Sequence, residues 1–76
     1  MPGKVPVLSG VDVVRALGRL GFERVSQKGS HIKLRRRTQE GTRNVIIPTH
    51  DEVARGTLGS ILAQAGITLE ELVAVI

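Results

Sequence analysis

Apolar residues first recur with helical spacing. Val13, Ala16, Leu17 and Leu20 fall at i, i+3, i+4 and i+7, which predicts one stripe on a helix of about three turns. Ser9 stands before the stripe with Asp12 three residues on, a short capping box that satisfies N–H groups the first turn leaves free. Gly21 follows the stripe. It can take the left-handed conformation that ends a helix, and Phe22 can fold back as the hydrophobic contact of that cap.

From Phe22 the period changes to two. The stretch "FERVSQ" predicts a short strand, and Gly29-Ser30 supplies a turn. Over residues 31–36, Ile32 and Leu34 point to one side while His31, Lys33 and Arg35 point to the other. With Ile32 and Leu34 in the core, His31 faces solvent beside two cations. "RTQEGTR" reads as a polar hairpin loop and "NVIIP" as a third strand stopped by Pro48.

A loop, "THDEVARG", leads to a second helix expected to be capped by Thr57, with the stripe Leu58, Ile61, Leu62 and Ala65 and a stop at Gly66. Thr68 with Glu71 forms a capping box for a last short helix carrying Leu69, Leu72, Val73 and Ile76. The predicted order is helix, three strands, helix, with a short C-terminal helix added. Helices on one face of an antiparallel sheet make a two-layer α+β sandwich. No repeat, linker or low-complexity segment interrupts it, so residues 1–76 read as one domain with its core at about residues 9–72.

Size and composition narrow the function. A 76-residue chain buries only about 60% of its unfolded surface, so a partner protein could add a meaningful share of its stability. Without cysteine there is no disulfide framework and no thiolate metal site, which suits a reducing cytosol. "MPGKVPVL" has no signal-peptide pattern, and no apolar stretch approaches the roughly 20 residues of a membrane span. The expectation is a soluble cytoplasmic protein with no membrane partner.

Net charge is +4, unevenly spread. Residues 15–43 carry nine Lys and Arg against Glu23 and Glu40, a net of +7, whereas residues 51–76 carry a net of −3. Such asymmetry suggests a polyanion held on one face. Phe22 is the one aromatic residue, and the helix cap claims it, so base stacking on aromatic rings is excluded as the mode of recognition. There is no Walker lysine loop, and His31, His50 and Asp51 lie at no recognised metal-ligand spacing, so neither cofactor nor metal is expected.

Periodicity alone reads His31 as a solvated polar residue. The functional reading rests on its neighbours. Imidazole titrates near neutral pH and can remove the 2′-hydroxyl proton that internal RNA cleavage requires. Lys33 and Arg35 on the same face, with Lys28 before the turn, would hold phosphates and offset charge on the scissile group. Gly29 permits close backbone approach to a phosphate, and Ser30 has a hydroxyl to donate. His50, in "PTHD", reads either as a loop histidine bonded locally or as a second acid–base group.

The stretches "GFERVSQKGSHIKLRR" and "NVIIPTHDEVARGTLGSILAQAGIT" resemble the HicA-type toxins, mRNA interferases of bacterial and archaeal toxin–antitoxin pairs, from about Ser9 to Leu72. The resemblance implies a double-stranded-RNA-binding-domain-like fold of order α-β-β-β-α and an mRNA endonuclease that uses no metal. It implies that the "GSH" histidine, His31, is catalytic, and that the "P-x-H" histidine, His50, is structural or auxiliary. Its implied partner is a HicB-type antitoxin covering the site. Many relatives carry a polar or aromatic residue where this chain has Ile32, and "RRRTQEGTR" is unusually basic for the family. Two rivals remain: a non-catalytic double-stranded RNA-binding module and a small protein-interaction domain. The first normally grips phosphates with lysines opening the last helix, where this chain reads "GTLGSILAQ".

Overall fold

The computed structural model describes residues 7–76, so most of the N-terminal stretch read against a signal peptide lies outside the described residues. Helix α1 (Gly10–Arg19) opens as the pattern predicts. The Asp12 N–H donates to the Ser9 hydroxyl (3.0 Å) and the Ser9 N–H donates to the Asp12 carboxylate (3.1 Å). It closes on Gly21 at φ 98°. The Phe22 N–H donates to the Leu17 carbonyl (3.0 Å) and the Gly21 N–H to that of Gly18 (3.1 Å), the two bonds of a Schellman cap. Phe22 is accordingly buried before the first strand begins.

Three strands follow, β1 (Glu23–Lys28), β2 (His31–Thr38) and β3 (Gly41–Pro48), in one antiparallel sheet of that order. The hairpin between β2 and β3 is much tighter than the seven-residue polar loop expected. The ladder continues through Arg36, Arg37 and Thr38 opposite Arg43, Thr42 and Gly41, leaving Gln39 and Glu40 as the turn. Backbone pairing does not require apolar side chains, and the Thr38 hydroxyl closes this end by accepting from the Glu40 N–H and donating to the Gly41 carbonyl.

Helix α2 (Arg55–Ala65) begins three residues earlier than expected, with Ala54 rather than Thr57 at the cap position and no side-chain cap bond. Thr57 lies inside the first turn instead. The start is decided by a distant contact: buried Val53 donates its N–H to the Leu8 carbonyl (2.7 Å), fixing the chain just before the helix. Gly66 ends α2 at φ 71°, and the Thr68–Glu71 box opens α3 (Leu69–Val73). Of the stripe expected on this last helix, Leu72 is fully buried and Leu69 half-buried, while Val73 and Ile76 remain exposed. Five residues present only one face to α1, and the Arg19 guanidinium holds the chain beyond by donating to the Val75 carbonyl (2.9 Å).

The helices lie on one side of the sheet, α1 and α2 both against β3. Ile32, Leu34, Val45 and Ile47 meet Val13, Ala16, Leu17, Leu58, Ile61 and Leu72 there in one buried cluster. Each buried valine, leucine or isoleucine side chain among them contributes about 1.5–3 kcal/mol. Every residue of β1 is exposed. Among the described residues no helix is long and apolar enough to cross a membrane.

Candidate active site

His31 opens β2, paired with Lys28 of β1 on one side and Pro48 of β3 on the other. The two-residue turn before it places Gly29 at φ 59°, the left-handed conformation that a type II′ hairpin asks of its first central residue. The Gln27 amide braces this turn by donating to the Gly29 carbonyl (3.2 Å). The burial of β2 alternates as predicted, with Ile32 and Leu34 inward and His31 exposed on the face the helices leave open.

Directly paired residues of an antiparallel ladder share a face. The open face therefore carries Lys28, Ser26 and Glu23 from β1, then His31, Lys33, Arg35 and Arg37 from β2, and Ile46 and Asn44 from β3. A bulge between Arg24 and Ser26 shifts the register by one residue. Without it, the Ser26–Lys33 and Lys28–His31 pairs would not form. No signal in "FERVSQ" marks that extra residue.

A depression of about 490 Å³ opens on this face, lined by Ser26, Lys28, His31, Lys33 and Ile46. Two cations and an imidazole surround it and no carboxylate does, which suits a phosphodiester. Ile46 gives it an apolar wall, 42% exposed. Ser26 and Ile46 are members that the sequence alone did not single out; cross-strand register reveals them. Arg35 lies one ladder step beyond, its Nε donating to the Asn44 side-chain carbonyl (3.1 Å). Gly29 and Ser30 form the adjoining turn without lining the depression.

His50 is exposed and lies outside that lining. Its backbone is nevertheless tied to the same end of the sheet. The Thr49 N–H donates to the Ser30 carbonyl, and the His50 carbonyl accepts from the Gly10 N–H at the start of α1 (2.9 Å). Among the described residues no three His, Cys, Asp or Glu side chains gather as a metal-binding group.

The basic run does not form one face. Arg36 and Arg43 pair across β2 and β3 on the helix side, where Arg36 sits 5.8 Å over the Phe22 ring and the Arg43 guanidinium packs against Gly66. Alternation, blind to charge, sends every second arginine the other way.

A family model described as the HicA toxin of bacterial toxin–antitoxin systems matches residues 10–67. The chain belongs to the HicA toxin family. That match runs from the first residue of α1 to just past α2, and thus includes the whole sheet and the "GSH" turn. No curated protein matches the chain. As a HicA toxin it is the toxin member of a toxin–antitoxin system, with an antitoxin as its partner, in a family of ribonuclease-type toxins. Its α+β fold is double-stranded-RNA-binding-domain-like, with α3 appended beyond the match.

Proposed function

We propose that this HicA toxin is a metal-independent mRNA endoribonuclease in which His31 is the general acid–base group. The carrying observation is the depression where His31, Lys28 and Lys33 meet on an open sheet face with no carboxylate among the lining residues. His31 removes the proton of a 2′-hydroxyl as the 2′-oxygen attacks the adjacent phosphorus. The phosphorus–5′-oxygen bond then breaks, and the leaving oxygen takes a proton from imidazolium or water. Lys28 and Lys33 hold the phosphate and stabilise charge on its oxygens, and Arg35 grips the next stretch of backbone. Gly29 and Ser30 present backbone and hydroxyl at the rim, and His50 is auxiliary. The 76 residues act as one unit in the cytoplasm. Cleaving mRNA arrests translation until a HicB-type antitoxin covers His31.

The double-stranded RNA-binding reading gains one residue from the structure, because α2 opens on Arg55. A single cation there is a weak phosphate grip compared with a lysine cluster. Labelled single-stranded RNA in chelator separates the readings. The wild-type protein cleaves it, and His31→Ala is slower by about 10²–10⁴-fold. Tight duplex binding without cleavage would favour the binding module instead. Neither binding nor cleavage would leave a protein-interaction domain.

A further inference from the structure

A second depression, of about 410 Å³, lies where β2 outruns β1, lined by Gly21, Glu23, Arg24, Arg35, Arg36 and Arg37 together with Val25. Four guanidinium groups face one carboxylate there. We propose that it is a phosphate-binding subsite that holds the RNA strand several nucleotides from the scissile bond, a proposal that rests on the endoribonuclease reading above.

Three observations carry it. The first is continuity. His31, Lys33, Arg35 and Arg37 occupy alternate positions of β2 on the open face, at about 6.7 Å per step. Lys33 lines the first depression and Arg35 the second, so a row of cations leads from one into the other. An extended polyanion laid along β2 meets both.

The second is convergence. A bulge bends its strand and sharpens the local twist, and the bulge in β1 falls between Arg24 and Ser26. Beyond Glu23 the β1 partner strand ends, so side chains from both faces of β2 reach around the free edge. Arg35, Arg36 and Arg37 thereby line one space although alternation aims them to opposite sides.

The third is preorganisation. Arg36 is half-buried, its guanidinium 5.8 Å above the Phe22 ring and its Nε 3.7 Å from where a Cβ on Gly21 would stand. Arg35 is oriented by Asn44. Neither contact neutralises the charge, and arginine forks match phosphate oxygens in pairs. An acidic protein segment would also be attracted, but the unbroken row to His31 favours the substrate strand.

The test uses the full-length chain in a His31→Ala background, so that RNA is bound and not cut. Arg24→Ala/Arg37→Ala is added, and fluorescein-labelled single-stranded RNAs of about four and about twelve nucleotides are titrated by anisotropy across a salt series. The expected result is a loss of about tenfold in affinity for the longer RNA. Its log–log salt slope should also become shallower by about 1.4, or about 0.7 for each phosphate contact removed. Affinity for the shorter RNA should stay the same. The variant Arg24→Lys/Arg37→Lys, which keeps charge and drops the fork, should retain the slope with weaker binding, and it serves also if the alanine pair does not fold.

Unchanged binding of the longer RNA overturns the subsite. Equal loss at both lengths overturns it too, because that reports a general field. Weaker association with the antitoxin alone would give the pocket to an acidic protein. Wild-type protein that never cuts RNA sinks the endonuclease reading while leaving the length-dependent binding result standing.

Discussion

Thr49 donates twice to one acceptor, its N–H (2.8 Å) and its hydroxyl (3.2 Å) both meeting the carbonyl oxygen of Ser30. Ser30 precedes His31 and Thr49 precedes His50, so this forked bond places the two histidine-bearing segments side by side. Thr49→Val keeps the N–H bond and loses the other. We expect a small loss of stability, about 0.5–1.5 kcal/mol, and a several-fold slower single-turnover cleavage. His50→Ala should slow cleavage by far less than His31→Ala does. A His50 variant as inactive as the His31 variant would make His50 a full catalytic partner.

Gly10 is buried, and a Cβ added to it would run into the carbonyl oxygen of Pro48. The first turn of α1 therefore rests directly on the backbone that leads to His50. Gly10→Ala should cost about 1–3 kcal/mol by overpacking. That is a fall in melting temperature of about 4–8 °C for each kcal/mol in a domain of this size. Thermal denaturation followed by circular dichroism reads it directly. An unshifted melting temperature would mean that α1 moves aside at no cost.

The Ile46 N–H points out of the sheet, away from β2, and donates to the Gln64 side-chain carbonyl (3.1 Å), whose amide in turn donates to Ser60. An open strand edge invites pairing with another chain, and Gln64 covers this one. Gln64→Ala should raise amide hydrogen exchange at Ile46 and leave Val45 and Ile47, which face β2, protected. Comparable acceleration at all three would show that the helix itself had loosened.

Hydrogen bonding by the Ser9 N–H, then by the Ser9 hydroxyl, holds the Asp12 carboxyl below its ordinary value of 3.8, with help from the Arg15 charge. A carboxyl lowered on folding contributes stability that is fully present above the unfolded value and lost as pH falls through the folded one. Stability at pH 6 minus stability at pH 3 should therefore shrink in Asp12→Asn. Ser9→Ala should cost about 1 kcal/mol at neutral pH through the lost cap. An identical acid dependence in wild type and Asp12→Asn would remove Asp12 from the account.

Leu72 lies in α3, outside the matched family region, yet none of its surface is exposed. Leu72→Ala should destabilise the protein by about 2–5 kcal/mol, a large fraction of the stability of so small a domain. Urea denaturation measures it. A cost below about 0.5 kcal/mol, the level of an ordinary surface change, would mark α3 as an ornament.

The chain by itself determined whatever depends on short-range geometry. The α1 stripe, the Ser9–Asp12 and Thr68–Glu71 boxes, the Gly21 and Gly66 stops and the outward aim of His31 from β2 all follow from side-chain period and from bonds spanning a few residues. The motif around His31 was legible for the same reason, since Lys28 to Arg35 are neighbours across one hairpin. Tertiary structure alone decided what joins distant segments. The β1 bulge brings Ser26 and Lys28 into register, and Ile46 arrives from a third strand. Val53 on Leu8 starts α2 at Arg55 and leaves Thr57 without its capping role. Packing also settles what the inward-turned arginines meet, Arg36 the Phe22 ring and Arg43 the backbone at Gly66. Period is a property of neighbours along the chain, whereas register, close approach and the covering of a face arise from the packing of residues far apart in it.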